Sequence, residues 1–350
     1  MAIQNYSTQA GRINKLKGEI LAHAIPKEVL GITGMQKQMP KNSGDNVIFR
    51  RWLPFGGTDN QWIVPAATDA AAAFETAHVT TEGVTPTPDS LTAVDVTSTL
   101  QEYSVLYSLS NKTADLYEDD VPGEMSKQTG ERVGLIREMV RYGALKAGTN
   151  KFYSGGTSRA TVVDTITLNL LRKIARSLRA NHADLVTSVL APSPNYETRA
   201  VEASYLVFAH TDCEADIRSL TGFTPVAEYG QRKPVHELEC GSVENFRFIL
   251  SPELAPIQDA GGTAVTNSLA YTTANTACDV YPMIIVGEDA WGQVALRGMD
   301  SVSPTYIKPG QKDSGDPLGQ RGYVGASFYF DAKMLNDGWA AICEAGVSSL

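Results

Sequence analysis

Apolar positions between 121 and 148 recur every third or fourth residue. Thr129, Val133, Ile136, Val140, Ala144 and Ala147 form a single stripe, which predicts a long amphipathic helix. Asp119, Asp120 and Pro122 supply its start and Gly148 its stop. Lys127, Arg132, Arg137, Arg141 and Lys146 occupy the remaining faces. A second helix is predicted over about 167–180, with Leu168, Leu171, Ile174, Ala175 and Leu178 on one face. Arg172, Lys173, Arg176 and Arg179 lie on the other, and Asn181 ends it. Elsewhere the pattern is that of strands: 94–97, 103–109, 206–209, 246–250, 280–286 and 323–330. A further helix is expected over about 212–220. Met334, Leu335, Trp339 and Ile342 suggest a short helical ending. Strands and helices do not alternate as repeated βαβ units, so the fold class is α+β.

Phe49 to Trp52 reads as the outgoing partner of the strands at 94–109, with the turn-forming tract "TTEGVTPTPDS" between them. The simplest shape over 47–110 is a long two-stranded excursion with an irregular tip. An isolated hairpin is marginal in water, so such an element needs another surface to lie on. Charge sharpens this picture. Residues 1–55 hold Arg12, Lys15, Lys17, Lys27, Lys37, Lys41, Arg50 and Arg51 against Glu19, Glu28 and Asp45, a net of +5. Residues 56–111 contain no Lys or Arg and carry Asp59, Asp69, Glu75, Glu82, Asp89, Asp95 and Glu102. A basic N-terminal part is therefore followed by an acidic, base-free one. The net charge of −9 argues against a protein whose main task is gripping nucleic acid. The longest apolar run, 283–286, is far too short to span a bilayer, and the first twenty residues lack a secretory apolar stretch.

Candidate chemistry is sparse. "AHTDCEADIRSL" crowds His210, Asp212, Cys213, Glu214 and Asp216, residue types from which a nucleophile or metal site could be built. The same residues also spell a helix start, with Thr211 capping and Glu214 completing a capping box. His182 with Asp184, and His236 with Glu237, Glu239 and Cys240, lack metal-ligand spacing. Neither Gly-Gly loop, at 153–160 or 259–265, fits a phosphate-binding pattern. The four cysteines include no C-x-x-C pair and read as reduced thiols. No catalytic, metal or cofactor site is expected.

The segment "PLGQRGYVGASFYFDAKMLNDGWAAI" resembles the C-terminal signature of the tailed-phage major capsid proteins named after Escherichia phage N-four. "GSVENFRFILSPE", "GFTPVAEYG" and "MIIVGEDAWG" are similar to other segments of that family, so the resemblance covers about 195–342. Ala326 and Ser327 depart from the bulkier pair the family carries there. The resemblance implies the HK97-type capsid fold. Its parts would be an N-terminal arm (1–46), an extended E-loop hairpin (47–110), a peripheral domain with a spine helix (111–184), an axial domain (185–300) and a return to the peripheral domain (301–350). It implies a non-enzymatic major capsid protein assembling as hexamers and pentamers into an icosahedral, DNA-containing phage head, built in the host cytoplasm. Implied partners are a portal, a terminase, a scaffolding protein and possibly a decoration protein, with no membrane and no sequence-specific DNA binding. An encapsulin-like nanocompartment shell is the alternative within the fold; an enzyme using His210 and Cys213 is the alternative outside it.

The charge pattern then gives expected contacts between subunits. The acidic hairpin, with Asp59, Glu75, Glu82, Asp89 and the apolar Trp62 and Phe74, would settle against Lys127, Arg132, Arg137 and Arg141 of a neighbour. Complementary charge would set register and apolar burial would supply most of the stabilisation. Reversing Arg132 and Arg137 together to Glu is expected to block assembly and leave the subunit folded. Arg321 is expected to hold the turn before the last strand through backbone carbonyls, or to bridge subunits. The basic residues Arg12, Lys15, Lys17, Arg50 and Arg51 are assigned to the arm, facing DNA or an acidic neighbour.

Overall fold

The computed structural model describes residues 28–54, 70–86, 88, 90–116, 120–190, 198–230, 232–263, 277–298, 301–312 and 315–349. In chain order the elements are β1 (Met35–Met39), β2 (Asn46–Trp52), α1 (Ala70–His78), β3 (Ala93–Thr99), β4 (Gln101–Ser110), α2 (Asn111–Leu116), α3 (Val121–Lys146) and β5 (Lys151–Tyr153). There follow α4 (Leu168–Ala180), β6 (Val186–Leu190), β7 (Thr198–Ala209), α5 (Glu214–Arg218), β8 (Thr224–Pro225), β9 (Glu239–Val243) and β10 (Phe246–Leu250). The last are β11 (Tyr281–Val286), β12 (Trp291–Leu296), β13 (Ser303–Ile307), β14 (Arg321–Met334) and β15 (Ala340–Ala345). The class is α+β, as the pattern predicted.

Both helices start where their caps dictate. Asp120 Oδ1 accepts the Gly123 N–H at 3.0 Å, and Pro122 sits in the first turn of α3. Thr167 Oγ1 accepts the Leu170 N–H and starts α4, whose Leu171, Ile174 and Leu178 are fully buried. Along α3 the buried row begins with Val121, Met125, Thr129 and Val133. It then shifts to Arg137, Glu138, Arg141, Tyr142 and Leu145, leaving Ile136, Val140 and Ala144 half-buried.

A mixed sheet runs in the order β5-β15-β11-β7-β10-β9-β8, with β6 also paired to β7. Its strands face two cores, and the period-two alternation of side chains divides residues between them. Leu206, Phe208, Ile249, Ile284 and Val286 face the core shared with α3. Tyr205, Val207, Phe248, Met283, Ile285 and Cys343 face the core closed by α4. β15 corrects the helical ending expected from 334–342: Ala340–Ala345 pairs antiparallel with β11 and parallel with β5, every residue buried. A strand buried on both faces has no alternation to read.

The second sheet is organised by β14, the strand of the opening Pro-Leu-Gly-Gln-Arg-Gly turn. It pairs antiparallel with β4 from Arg321↔Ser110 to Phe330↔Gln101. On its other edge it carries β13 along 323–327 and β12 along 330–334; β12 in turn holds β1. α3 lies across this sheet, with Val133, Tyr142 and Leu145 in one core with Phe328, Phe330 and Trp291.

β2 and β3 form a separate two-stranded ribbon, registered from Asn46↔Thr99 to Trp52↔Ala93. Only β3 therefore pairs with the outgoing strand; β4 joins the body instead. Helix α1, beyond the ribbon, was not expected from the sequence. The start of the 211–218 helical stretch is also corrected, because His210 Nδ1 and not Thr211 accepts the capping Asp212 N–H.

Candidate assembly surfaces

Alternation fixes what the ribbon shows to solvent. Val47, Phe49 and Arg51 point inward along β2, and Ile48, Arg50 and Trp52 point out. The inward side is clamped at its base: Phe49 packs with Met39 and Val294, and Ser98 Oγ donates to Asp331 Oδ2 at 2.5 Å. The outward side is uncovered. Ile48 is 53% and Trp52 59% exposed, on the same face as a two-pronged Arg50–Asp95 ion pair at 2.7 and 2.8 Å. That pair holds Asp95 below the usual carboxylate range. Phe74, Val79, Val84 and Leu91 are exposed beyond the ribbon. A second uncovered apolar face lies on the β14 sheet, where register places Leu106, Tyr329 and Ile307 on the side away from α3.

The N-terminal segment is held by a buried charged clasp. Glu138 Oε1 accepts the N–H groups of Val29 and Leu30 at 3.0 and 2.9 Å. Arg141 donates to Glu28 at 2.6 Å and to Gln293 on β12 at 2.9 Å, and Arg137 lies 3.7 Å from Glu28. Burial pushes the Glu138 carboxyl up to about 7, against the pull of Arg141 and the two N–H donors. Below the clasp, Trp291 Nε1 donates to Thr33 Oγ1, and Gly34 turns against the indole face.

No family model matches the chain. The major capsid protein of Pseudomonas phage KPP21 is 20% identical over 264 residues, spanning 70% of this chain and 66% of that protein. Among solved structures, the capsid of Ralstonia phage GP4 superposes with a TM-score of 0.63 at 13% identity, over 97% of this chain and 96% of that one. The head of Helicobacter pylori bacteriophage KHP40 gives 0.59 at 12% identity, over 99% and 97%. The chain has the HK97-type capsid fold.

The HK97-type fold distributes the sequence-expected contact residues unevenly. Arg137 and Arg141 are 7% and 3% exposed, and their charge is taken up by Glu28, with Glu138 3.6 Å from Arg141. They therefore cannot meet a neighbour's hairpin, and Arg137→Glu would bury a third carboxylate in the clasp. The double reversal would therefore break the subunit's own clasp, contrary to the expectation that it leaves the subunit folded. Their guanidinium groups also cover Phe328 and Phe330, at 5.2 and 5.1 Å from the ring centres. Arg132 remains exposed, 5.3 Å above the Tyr107 ring, and Lys127 is half-buried. Phe74, Glu75 and Glu82 are exposed; Asp59, Trp62, Asp89, Arg12, Lys15 and Lys17 lie outside the described residues. Arg50 and Arg51 belong to the ribbon, not to the arm. The Arg321 backbone N–H, not its side chain, closes the turn by donating to Asp316 Oδ2 at 2.8 Å.

The enzyme-like cluster is spent on structure. Cys213 is wholly buried and burial pushes its thiol up, while Glu214 pairs with Arg218 one helical turn on. Asp212 accepts the Tyr281 hydroxyl at 2.9 Å. Among the described residues no group of His, Cys, Asp and Glu could hold a metal ion.

Proposed function

We infer that this chain is the major capsid protein of a tailed bacteriophage, a structural protein whose copies associate into the shell of the virion. The observation that carries this reading is the β2–β3 ribbon, clamped at its base and uncovered where Ile48 and Trp52 project. In a folded monomer the apolar side chains of that face are only partly covered; laid on an identical subunit they bury further apolar surface worth about 25 cal/mol per Å². The Leu106–Tyr329–Ile307 face is the matching surface.

The finer assignment is the phage N-four type. The arm (1–46), E-loop (47–110), peripheral (111–184 and 301–350) and axial (185–300) divisions would serve hexamers and pentamers of an icosahedral, DNA-filled head. Assembly in the host cytoplasm would draw on portal, terminase and scaffolding proteins, and possibly on a decoration protein. Glu75 and Glu82 would face Lys127 and Arg132 of the neighbour, setting register more than affinity. A nanocompartment shell is not favoured, since the similar structures named above are phage capsids.

Ile48→Ala with Trp52→Ala tests the reading. The urea midpoint of the isolated subunit should change little, because both side chains are more than half exposed. The concentration needed to form shells, followed by light scattering and electron microscopy, should rise at least about tenfold, as for loss of roughly 1.4 kcal/mol per contact. Shells forming at the parent concentration would overturn it.

A further inference from the structure

We propose that the outward face of α4 is a contact surface for the phosphate backbone of double-stranded DNA. The proposal rests on the reading of the chain as a DNA-enclosing shell. α4 carries Arg172, Lys173, Arg176 and Arg179 and no acidic residue, in a chain with 39 acids and 30 bases. At 100° per residue the four bases share one face, and at 1.5 Å per residue they span about 10 Å. That length matches about three phosphate steps of one strand at roughly 3.4 Å each. Leu171, Ile174 and Leu178, fully buried beneath, hold the row rigid against the sheet.

Two features favour a polyanion over a protein partner. The exposed positions of α4 are Asn169, Arg172, Lys173, Arg176, Arg179 and Ala180, with no large apolar side chain to form an interface core. Three of the four bases are arginines, whose planar forks fit phosphate oxygens. The neighbouring acids leave most of the charge available. Glu244 takes Arg172 at 2.5 Å, and Asp184 lies beyond the helix end. Lys173 lies 5.9 Å over the Phe152 ring. Among other exposed arginines, Arg50 is paired with Asp95, Arg218 with Glu214 and Arg232 with Glu202, while Arg132 and Arg321 stand singly and form no row. Among the described residues, Lys173, Arg176 and Arg179 make no ion pair with a carboxylate.

The test measures binding of the full-length soluble subunit to a 30-base-pair duplex (about three turns) by fluorescence anisotropy across a salt series. Arg172→Gln, Lys173→Gln, Arg176→Gln and Arg179→Gln are introduced together, with the Arg176/Arg179 pair as a milder second variant. Each phosphate contact contributes about 0.9 to the log–log salt slope, so the fourfold variant should flatten it by about 3.6 and the pair by about 1.8. Affinity at low salt should fall at least about tenfold. Unchanged slope and affinity would overturn the proposal. So would polyglutamate of matched charge displacing the duplex at lower concentration, which would assign the face to an acidic polypeptide. Electron microscopy of the same preparations reports shell formation separately. Absence of shells from the parent chain would count against the capsid reading, while the duplex titration still decides the role of α4.

Discussion

Glu138→Gln isolates the buried clasp that ties the N-terminal segment to α3. In the parent chain one carboxyl oxygen accepts two N–H donors, and the other lies 3.6 Å from Arg141 without a hydrogen-bond partner among the described residues. Arg141 is shared with Glu28 and Gln293, so its pull on Glu138 is divided and burial prevails, raising the carboxyl from 4.5 to about 7. The folded chain thus holds this proton more tightly than the unfolded chain does. The associated stability is present in full below pH 4.5 and is lost as pH rises through about 7. At 1.36 kcal/mol per pKa unit the whole effect is about 3 kcal/mol, of which roughly 2 to 3 falls between pH 5 and 8. Glutamine keeps the accepting oxygen and cannot ionise. Urea unfolding of both subunits over that range should therefore show the parent losing stability relative to the variant by this amount. A pH-independent difference, or one of opposite sign, would mean that Arg137 and Arg141 keep Glu138 ionised, and the reasoning about burial would fail.

Two further outcomes follow from the packing. None of the four cysteines should react with a chromogenic thiol reagent at pH 8 before urea is added, since all are buried and burial pushes Cys343 up to about 12; rapid reaction of Cys213 in the native subunit would revive the enzyme alternative. Gly34→Ala should destabilise the subunit by at least roughly 2 kcal/mol in urea, because φ is +92° and the new Cβ would meet the Trp291 ring at 2.6 Å; a neutral result would show that the N-terminal segment can leave the indole without loss.

Helices were legible where the apolar stripe and the cap agreed, as in α4, whose Leu171, Ile174 and Leu178 are buried as spaced. α3 was legible in extent but not in facing. Charged residues ordinarily mark a solvated face, and nothing near Arg137 or Arg141 announced Glu28 or Gln293, which approach from 109 and 152 residues away in the chain. Glu138, three positions before Arg141, was the local hint. β15 was misread for a different reason: with both faces buried, Ala340, Ala341 and Ile342 lose the alternation that distinguishes strand from helix. The ribbon was readable as two paired strands, but not its attachment: β4 left the hairpin for the body, and the inward side of β2 shares a small core with Met39 and Val294. Its contact residues beyond Trp52 could not be placed from charge alone, since acidity names no particular partner.

The pairing of β4 with β14 also sets a clock. Ser110 must wait for Arg321, roughly 200 residues later in synthesis, before either strand gains its neighbour. Until Val294 and Asp331 have left the ribosome, the ribbon has no footing, because they are its clamp partners. Such distant closure is slow to form. It follows that a nascent chain cannot present the finished ribbon to another copy before Asp331 has left the ribosome.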